Sequence, residues 1–130
     1  MRFILFCFSL VLAACANEES GLVNLATSGS KVENGKTLDM RFEEVERNEK
    51  SSIVVVTFNS GGSVSSSMFI MKGMCSVTRA RGEKFFVSKD LGTNGSRYEL
   101  TFPQSITPEQ SDPLSDNHVS SLDECSILGM

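Results

Sequence analysis

The chain has 130 residues, with 12 basic and 16 acidic side chains, a formal charge of −4 and a hydrophobic share of 40%. That length allows one domain with a modest core and excludes a multidomain machine. An acidic balance argues against nucleic acid, which is bound through neutralised phosphates, and no polybasic run offers itself to anionic lipid.

The first residues have the order of an export signal. Arg2 supplies one positive charge, Phe3 to Leu12 is apolar except for Ser9, and Ala13 and Ala14 are small. The apolar run is about ten to fourteen residues, short of the roughly 20 that a helix needs to cross the hydrocarbon of a bilayer. Its end, Leu12-Ala13-Ala14-Cys15, resembles the lipobox of bacterial lipoproteins. The resemblance implies that the Cys15 sulfur receives a diacylglycerol, that residues 1–14 are removed, and that the new amino group is acylated. One acyl chain holds a protein only marginally, so two or three are needed for a stable anchor. Ala16 follows, where an aspartate would imply retention at the inner membrane; the resemblance therefore implies outer-membrane delivery, facing the periplasm. The competing reading is an ordinary secretory signal cut after an Ala-x-Ala-like site, which leaves Cys15 as a bare thiol.

Four cysteines are present. With Cys7 in the signal and Cys15 carrying lipid, Cys75 and Cys125 remain as one pair in an oxidising compartment, and a disulfide between them is expected. The chain-entropy model gives such a loop of about 50 residues on the order of 4 kcal/mol. A metal or redox role would lack C-x-x-C proximity and has only His118 as a further ligand.

Residues 15–36 are polar and Gly/Ser-punctuated, which reads as a lipidated cysteine followed by a flexible linker, although Leu22, Val23 and Leu25 offer side chains to a domain surface. A flexible segment of that length reaches roughly 25 Å. The folded domain is expected over residues 37–130. Leu38, Met40 and Phe42 alternate with Asp39, Arg41 and Glu43, the period of a half-buried strand; Leu38, Phe42 and Val45 also fit a helical spacing. The strand reading is preferred, with register lost near Glu44 before a polar turn at residues 48–52. Ile53-Val54-Val55-Val56-Thr57-Phe58 is the clearest strand, and its continuous apolarity predicts burial on both faces.

After Asn59-Ser60-Gly61-Gly62, Ser63 is expected to cap the main helix. Val64, Met68, Met71, Cys75 and Thr78 form a stripe on one helical face, widened by Ile70, Met74 and Val77. Arg79 and Arg81 suit the negative end of the helix dipole, and Gly82 suits a left-handed stop. Residues 83–89 read as a third strand, Asn94-Gly95 as a turn, and residues 97–102 as a fourth strand. From Pro103 onward no regular period appears, and the tail is expected to become ordered by docking, pinned through Cys125 to Cys75. The prediction is an α+β fold: a small ββαββ domain with one main helix packed on a four-stranded, largely antiparallel sheet, its C-terminal tail tied by a disulfide.

The segment Ile53 to Lys89, with its β-branched strand, Gly/Ser loop, helix containing Gly73-Met74-Cys75-Ser76-Val77-Thr78-Arg79-Ala80-Arg81-Gly82 and Phe85-Phe86-Val87 strand, is similar to the core of small bacterial envelope lipoproteins. The likeness implies a fold rather than an activity.

Catalytic constellations are thin. His118 is the single histidine, so any Ser-His-Asp arrangement must use it, and it sits in a Pro/Ser/Asp-rich tail where a surface role is expected. Asp112, Asp116, Asn117, Asp123 and Glu124 lack the spacing and central glycine of a calcium loop. Gly61-Gly62-Ser63 lacks the further glycines or Lys-Ser/Thr of a phosphate loop and reads as turn plus cap. Arg79, Arg81, Lys84 and Lys89 read as helix-end and strand-face charges rather than one patch. No cofactor or metal is expected. The preferred function is a non-catalytic lipoprotein, membrane-bound through its lipid, that binds or helps assemble another envelope protein through an exposed strand edge or helix groove. The alternative is an inhibitor or sensor resembling periplasmic lysozyme inhibitors in size, signal and disulfide; an enzyme comes third.

Overall fold

The structure, a computed structural model, describes residues 21–27, 32–33, 36–37, 39–60, 63–92 and 96–130. In chain order these form β1 (Asn24–Ala26), β2 (Val32–Glu33), β3 (Lys36–Thr37), β4 (Asp39–Arg47), β5 (Ser51–Ser60), α1 (Ser63–Ala80), β6 (Phe85–Asp90), β7 (Arg97–Thr101), α2 (Pro108–Ser111), β8 (Ser120–Ser121) and α3 (Leu122–Ile127). A curled six-stranded sheet has the order β1-β4-β5-β7-β6-β8, and every pairing in it is antiparallel. β2 and β3 pair with each other in a separate two-stranded ladder. Because β7 lies between β5 and β6, those two strands run parallel, and α1 is the crossover that such a pair requires.

The four expected strands and the main helix are present, but the strand count is a correction. β1 falls in the segment read as a linker, where Leu25 lies opposite Phe42 and both Val23 and Leu25 pack on the core. β8 closes part of the other edge, where Phe86 pairs with Ser120. Three-residue and two-residue strands leave almost no periodicity to read, so their order comes from the neighbouring strand rather than from local preference. The tail differs as well: it contains α2 and α3. Thr107 caps α2 in a reciprocal box with Gln110, and the Ser121 hydroxyl accepts from the Glu124 amide at the start of α3. Those T-x-x-Q and S-x-x-E patterns are the local signal for both helices.

β4 carries its register loss where the sequence placed it. Pairing with β5 shifts between Glu44 and Glu46, leaving Val45 unpaired and exposed, a bulge in an antiparallel ladder. The inward residues Met40, Phe42 and Glu44 face α1 together with Ser52, Val54 and Val56 of β5 and Leu100 of β7. The opposite sheet face carries charge, including the Arg41–Glu43 ion pair. The expectation that β5 is buried on both faces therefore holds only in part. Ile53 is buried between its cross-strand neighbours Glu46 and Glu99, Val55 is half-buried and Thr57 is exposed, and among the described residues no helix packs on that face.

α1 lies close on β4. A Cβ added at Gly73 would overlap the Phe42 ring, which is completely buried, so glycine lets the helix backbone descend onto that ring. The helix ends in a Schellman turn: the Gly82 amide donates to the Arg79 carbonyl and the Glu83 amide to the Thr78 carbonyl, with Gly82 at φ 70°. Only the C-terminal part of the predicted stripe is in the core. Met74, Cys75, Val77 and Thr78 are buried and Met71 is half-buried, whereas Met68 is 42% and Val64 66% exposed.

Candidate functional site

Cys75 and Cys125 are joined, with Cα atoms 6.1 Å apart and a separation of 50 positions in the chain. Both are buried, at 0% and 2% exposure. The bridge brings α3 onto α1, and other contacts gather around it. The Leu122 amide donates to the Lys84 carbonyl, the Met130 amide to the Cys125 carbonyl, and the Arg79 guanidinium to the Met130 carbonyl oxygen at 3.0 Å. The expected pinning of the tail at Cys75 is thus the observed arrangement.

A second cluster was not legible as a site in the sequence. Glu44 occupies an inward position of β4, and its carboxylate accepts from Arg47 Nη2 at 2.6 Å, Arg47 Nε at 3.0 Å, the Ser52 hydroxyl at 2.6 Å and the Val23 amide at 3.1 Å. Arg47 also donates to the Gly21 carbonyl. Burial works against the Glu44 charge, but hydrogen bonds from Arg47, Ser52 and Val23, with the Arg47 charge, outweigh it and hold the carboxyl below its ordinary value. Its hydrogen bond and charge in turn raise the Arg47 guanidinium.

Ser52 links this cluster to Arg81, just beyond α1. Arg81 Nη1 donates to the Ser52 hydroxyl and the Ser51 carbonyl, Nη2 donates to the Glu49 carbonyl, and the guanidinium lies 4.6 Å from the centre of the Phe102 ring. Two strands, the β4–β5 turn and the end of α1 are fastened together where the chain arrives from its N-terminal segment. The signal for Glu44 was its inward place in the Met40-Phe42-Glu44 alternation: an acid facing a core needs partners.

Beside this cluster, an open groove of about 460 Å³ is lined by Phe102 and Pro103 together with Glu49, Lys50, Glu83 and Gln104. Its lining among the described residues includes neither histidine nor cysteine.

The remaining candidates are dispersed. His118 Nε2 lies 3.1 Å from Glu124 Oε2, while its buried Nδ1 meets no partner among the described residues. Asp112 accepts from the Leu114 amide, and Asn117 donates to Glu109. Among the described residues no three His, Cys, Asp or Glu side chains converge as metal ligands. Arg79 and Arg81 are engaged with the C-terminal residue and the β4–β5 turn, while Lys84 and Lys89 are exposed. Cys15, Gly61, Gly62 and the Asn94-Gly95 turn lie outside the described residues. Among the described residues no helix is long and apolar enough to cross a membrane.

Among the described residues, one sheet edge stays partly open. In β6 the residues paired with β8 are Phe85 and Phe86, and beyond Ser120 the chain turns away, with the Val119 amide donating to the Gln110 carbonyl. The parity of the ladder is fixed on both sides. The Leu91 amide donates to Arg97 on the β7 side, and the Lys84 carbonyl accepts from Leu122 on the β8 side. Odd residues of β6 therefore bond β7 and even ones point outward, which leaves the amides and carbonyls of Ser88 and Asp90 facing away from the sheet. No family model matches the chain, and neither a curated protein nor a solved structure is found to be similar to it.

Proposed function

We propose that the chain is a lipid-anchored lipoprotein of the bacterial cell envelope, most simply of the outer membrane on its periplasmic side, that binds or helps assemble another envelope protein without catalysing a reaction. The observation that carries the reading is the buried Cys75–Cys125 disulfide, a bond that persists in oxidising compartments outside the cytosol. It agrees with the lipobox Leu12-Ala13-Ala14-Cys15, which gives the chain a route out of the cytosol and a hold on the membrane once there. A binding role is supported by a sheet edge that, among the described residues, offers unpaired backbone groups.

The test is fractionation of wild-type and Cys15→Ser protein expressed with the native signal. Wild type is expected in the membrane fraction with label from fatty acid, and Cys15→Ser as an unlabelled precursor or a released product. Lipid label retained in Cys15→Ser would refute the anchor. A muramidase recovered in stoichiometric, inhibited complex with the wild-type protein would favour the inhibitor reading instead.

A further inference from the structure

We infer that the four residues of β6 that β8 leaves unpaired, 87–90, are a docking slot for an extended segment of a second envelope protein, which adds to the sheet in line with β8. The inference rests on the envelope-binding reading above and names the surface and the partner's backbone chemistry. Ser88 and Asp90 turn two amides and two carbonyls outward, and no backbone group among the described residues meets them. The fold itself shows that this edge accepts a strand, since β8 already pairs with residues 85 and 86 and then leaves. Three or four residues of another chain would continue that ladder, each outward amide and carbonyl finding a partner.

A second copy of this chain is a poor occupant. Pairing two β6 edges about a twofold axis must match outward residues with outward residues. Ser88 against Asp90 places Lys89 directly opposite its own copy, and Asp90 against Asp90 opposes two carboxylates. Ser88 against Ser88 calls for Phe86, whose edge β8 already holds. Like charges directly opposite each other destabilise an antiparallel pair. The charges thus guard the edge against itself while leaving it open to a different strand. That strand is expected to set an acidic residue opposite Lys89 and an apolar one opposite the exposed Val87.

Ser88→Pro separates the slot from the fold. It deletes an outward amide and leaves the odd-residue bonds to β7 intact, a place where an edge strand tolerates proline. Hydrogen exchange of the peptide covering residues 86–91 is compared between native envelope vesicles and the purified lipoprotein, for wild type and Ser88→Pro. Wild type in vesicles is expected to exchange at least tenfold more slowly than when purified. Ser88→Pro is expected to lose that difference while keeping the purified protein's melting temperature. A photo-cross-linker at position 87 is expected to give one adduct in cells, reduced at least fivefold by Ser88→Pro and by Lys89→Glu. Equal wild-type exchange in the two preparations, protection or cross-linking that survives Ser88→Pro, or an adduct of twice the chain's mass would overturn the slot, and a yield unchanged by Lys89→Glu would overturn its charge pairing. Intact mass on the same preparation separates the two readings: a protected edge on unlipidated protein defeats the anchor alone, and a lipidated protein with an unprotected edge defeats the slot alone.

Discussion

The two edges of the sheet are closed by different means. At one edge, β1 is held by its ladder with β4, by the Glu44 carboxylate on the Val23 amide and by Arg47 on the Gly21 carbonyl. At the other, β8 covers two residues of β6, and the tail is held there by hydrogen bonds from Leu122 to Lys84 and from Arg79 to Met130 and, beyond these, by a covalent bond through Cys125. A noncovalent closure answers to pH and to single hydrogen bonds; a covalent one answers to redox state and can be short, because the bond supplies the persistence that a two-residue strand lacks. The difference explains how the second edge is both fixed in place and incompletely covered.

Breaking the covalent closure has the largest expected effect. Cys125→Ser is expected to cost about 2 to 4 kcal/mol in chemical denaturation, most of it through the unfolded chain. It should raise hydrogen exchange over residues 103–130 more than over β4 and β5. Loss of protection spread evenly over the sheet would show that the two edges are not independent.

Breaking the noncovalent closure is expected to cost less. Glu44→Gln removes the charge that Arg47 and Ser52 satisfy and should destabilise the domain by about 1 to 3 kcal/mol at neutral pH. The wild-type carboxyl is held below its unfolded value of about 4.5, so its stabilisation is complete above that value and is lost as pH falls through the lower, folded value. Denaturant midpoints measured from pH 7 downward should fall in wild type over that acid range and stay flatter in Glu44→Gln. Parallel curves would remove Glu44 from the account.

A further substitution sharpens the contrast by striking the shared core. Gly73→Ala improves helix propensity by about 1 kcal/mol, yet its methyl meets the buried Phe42 ring, and overpacking of this kind costs about 1 to 3 kcal/mol. A net loss of up to about 2 kcal/mol in thermal or denaturant unfolding is expected, and a gain would show that α1 rides higher on β4 than the structure has it. Ser88→Pro is the smallest perturbation, expected within about 0.5 kcal/mol of wild type in purified protein.

The parts of this fold that the sequence announced are those with long periods. Residues 53–58 are a β-branched run, the α1 stripe repeats over four turns, and both survive any plausible packing. The loss of register near Glu44 was readable because the apolar alternation of β4 breaks down there, and the structure places the bulge at Val45. What stayed hidden depends on tertiary partners. β1 is three residues long, and β8 is two serines whose place is decided by Phe85 and Phe86. Val64 and Met68 continue the stripe yet remain exposed, since α3 reaches α1 near Cys75 and not at its N-terminal turns. Arg81 suited the helix end on dipole grounds, but its contacts with Ser52, the Glu49 carbonyl and the Phe102 ring join residues from three distant segments. No local pattern encodes such a meeting. The disulfide was legible from cysteine bookkeeping once Cys7 is assigned to an export signal and Cys15 to a lipid, which leaves Cys75 and Cys125 as the one pair.

The central claim is that this domain is fastened to a membrane by lipid and to itself by one disulfide. Intact mass spectrometry of the mature protein purified from its own membranes tests both halves together. The account predicts a chain beginning at Cys15, heavier by a diacylglyceryl group and an amide-linked acyl chain and lighter by two hydrogens, with no thiol that reacts before reduction. An unmodified Cys15, or Cys75 and Cys125 both alkylated in the native protein, would contradict it.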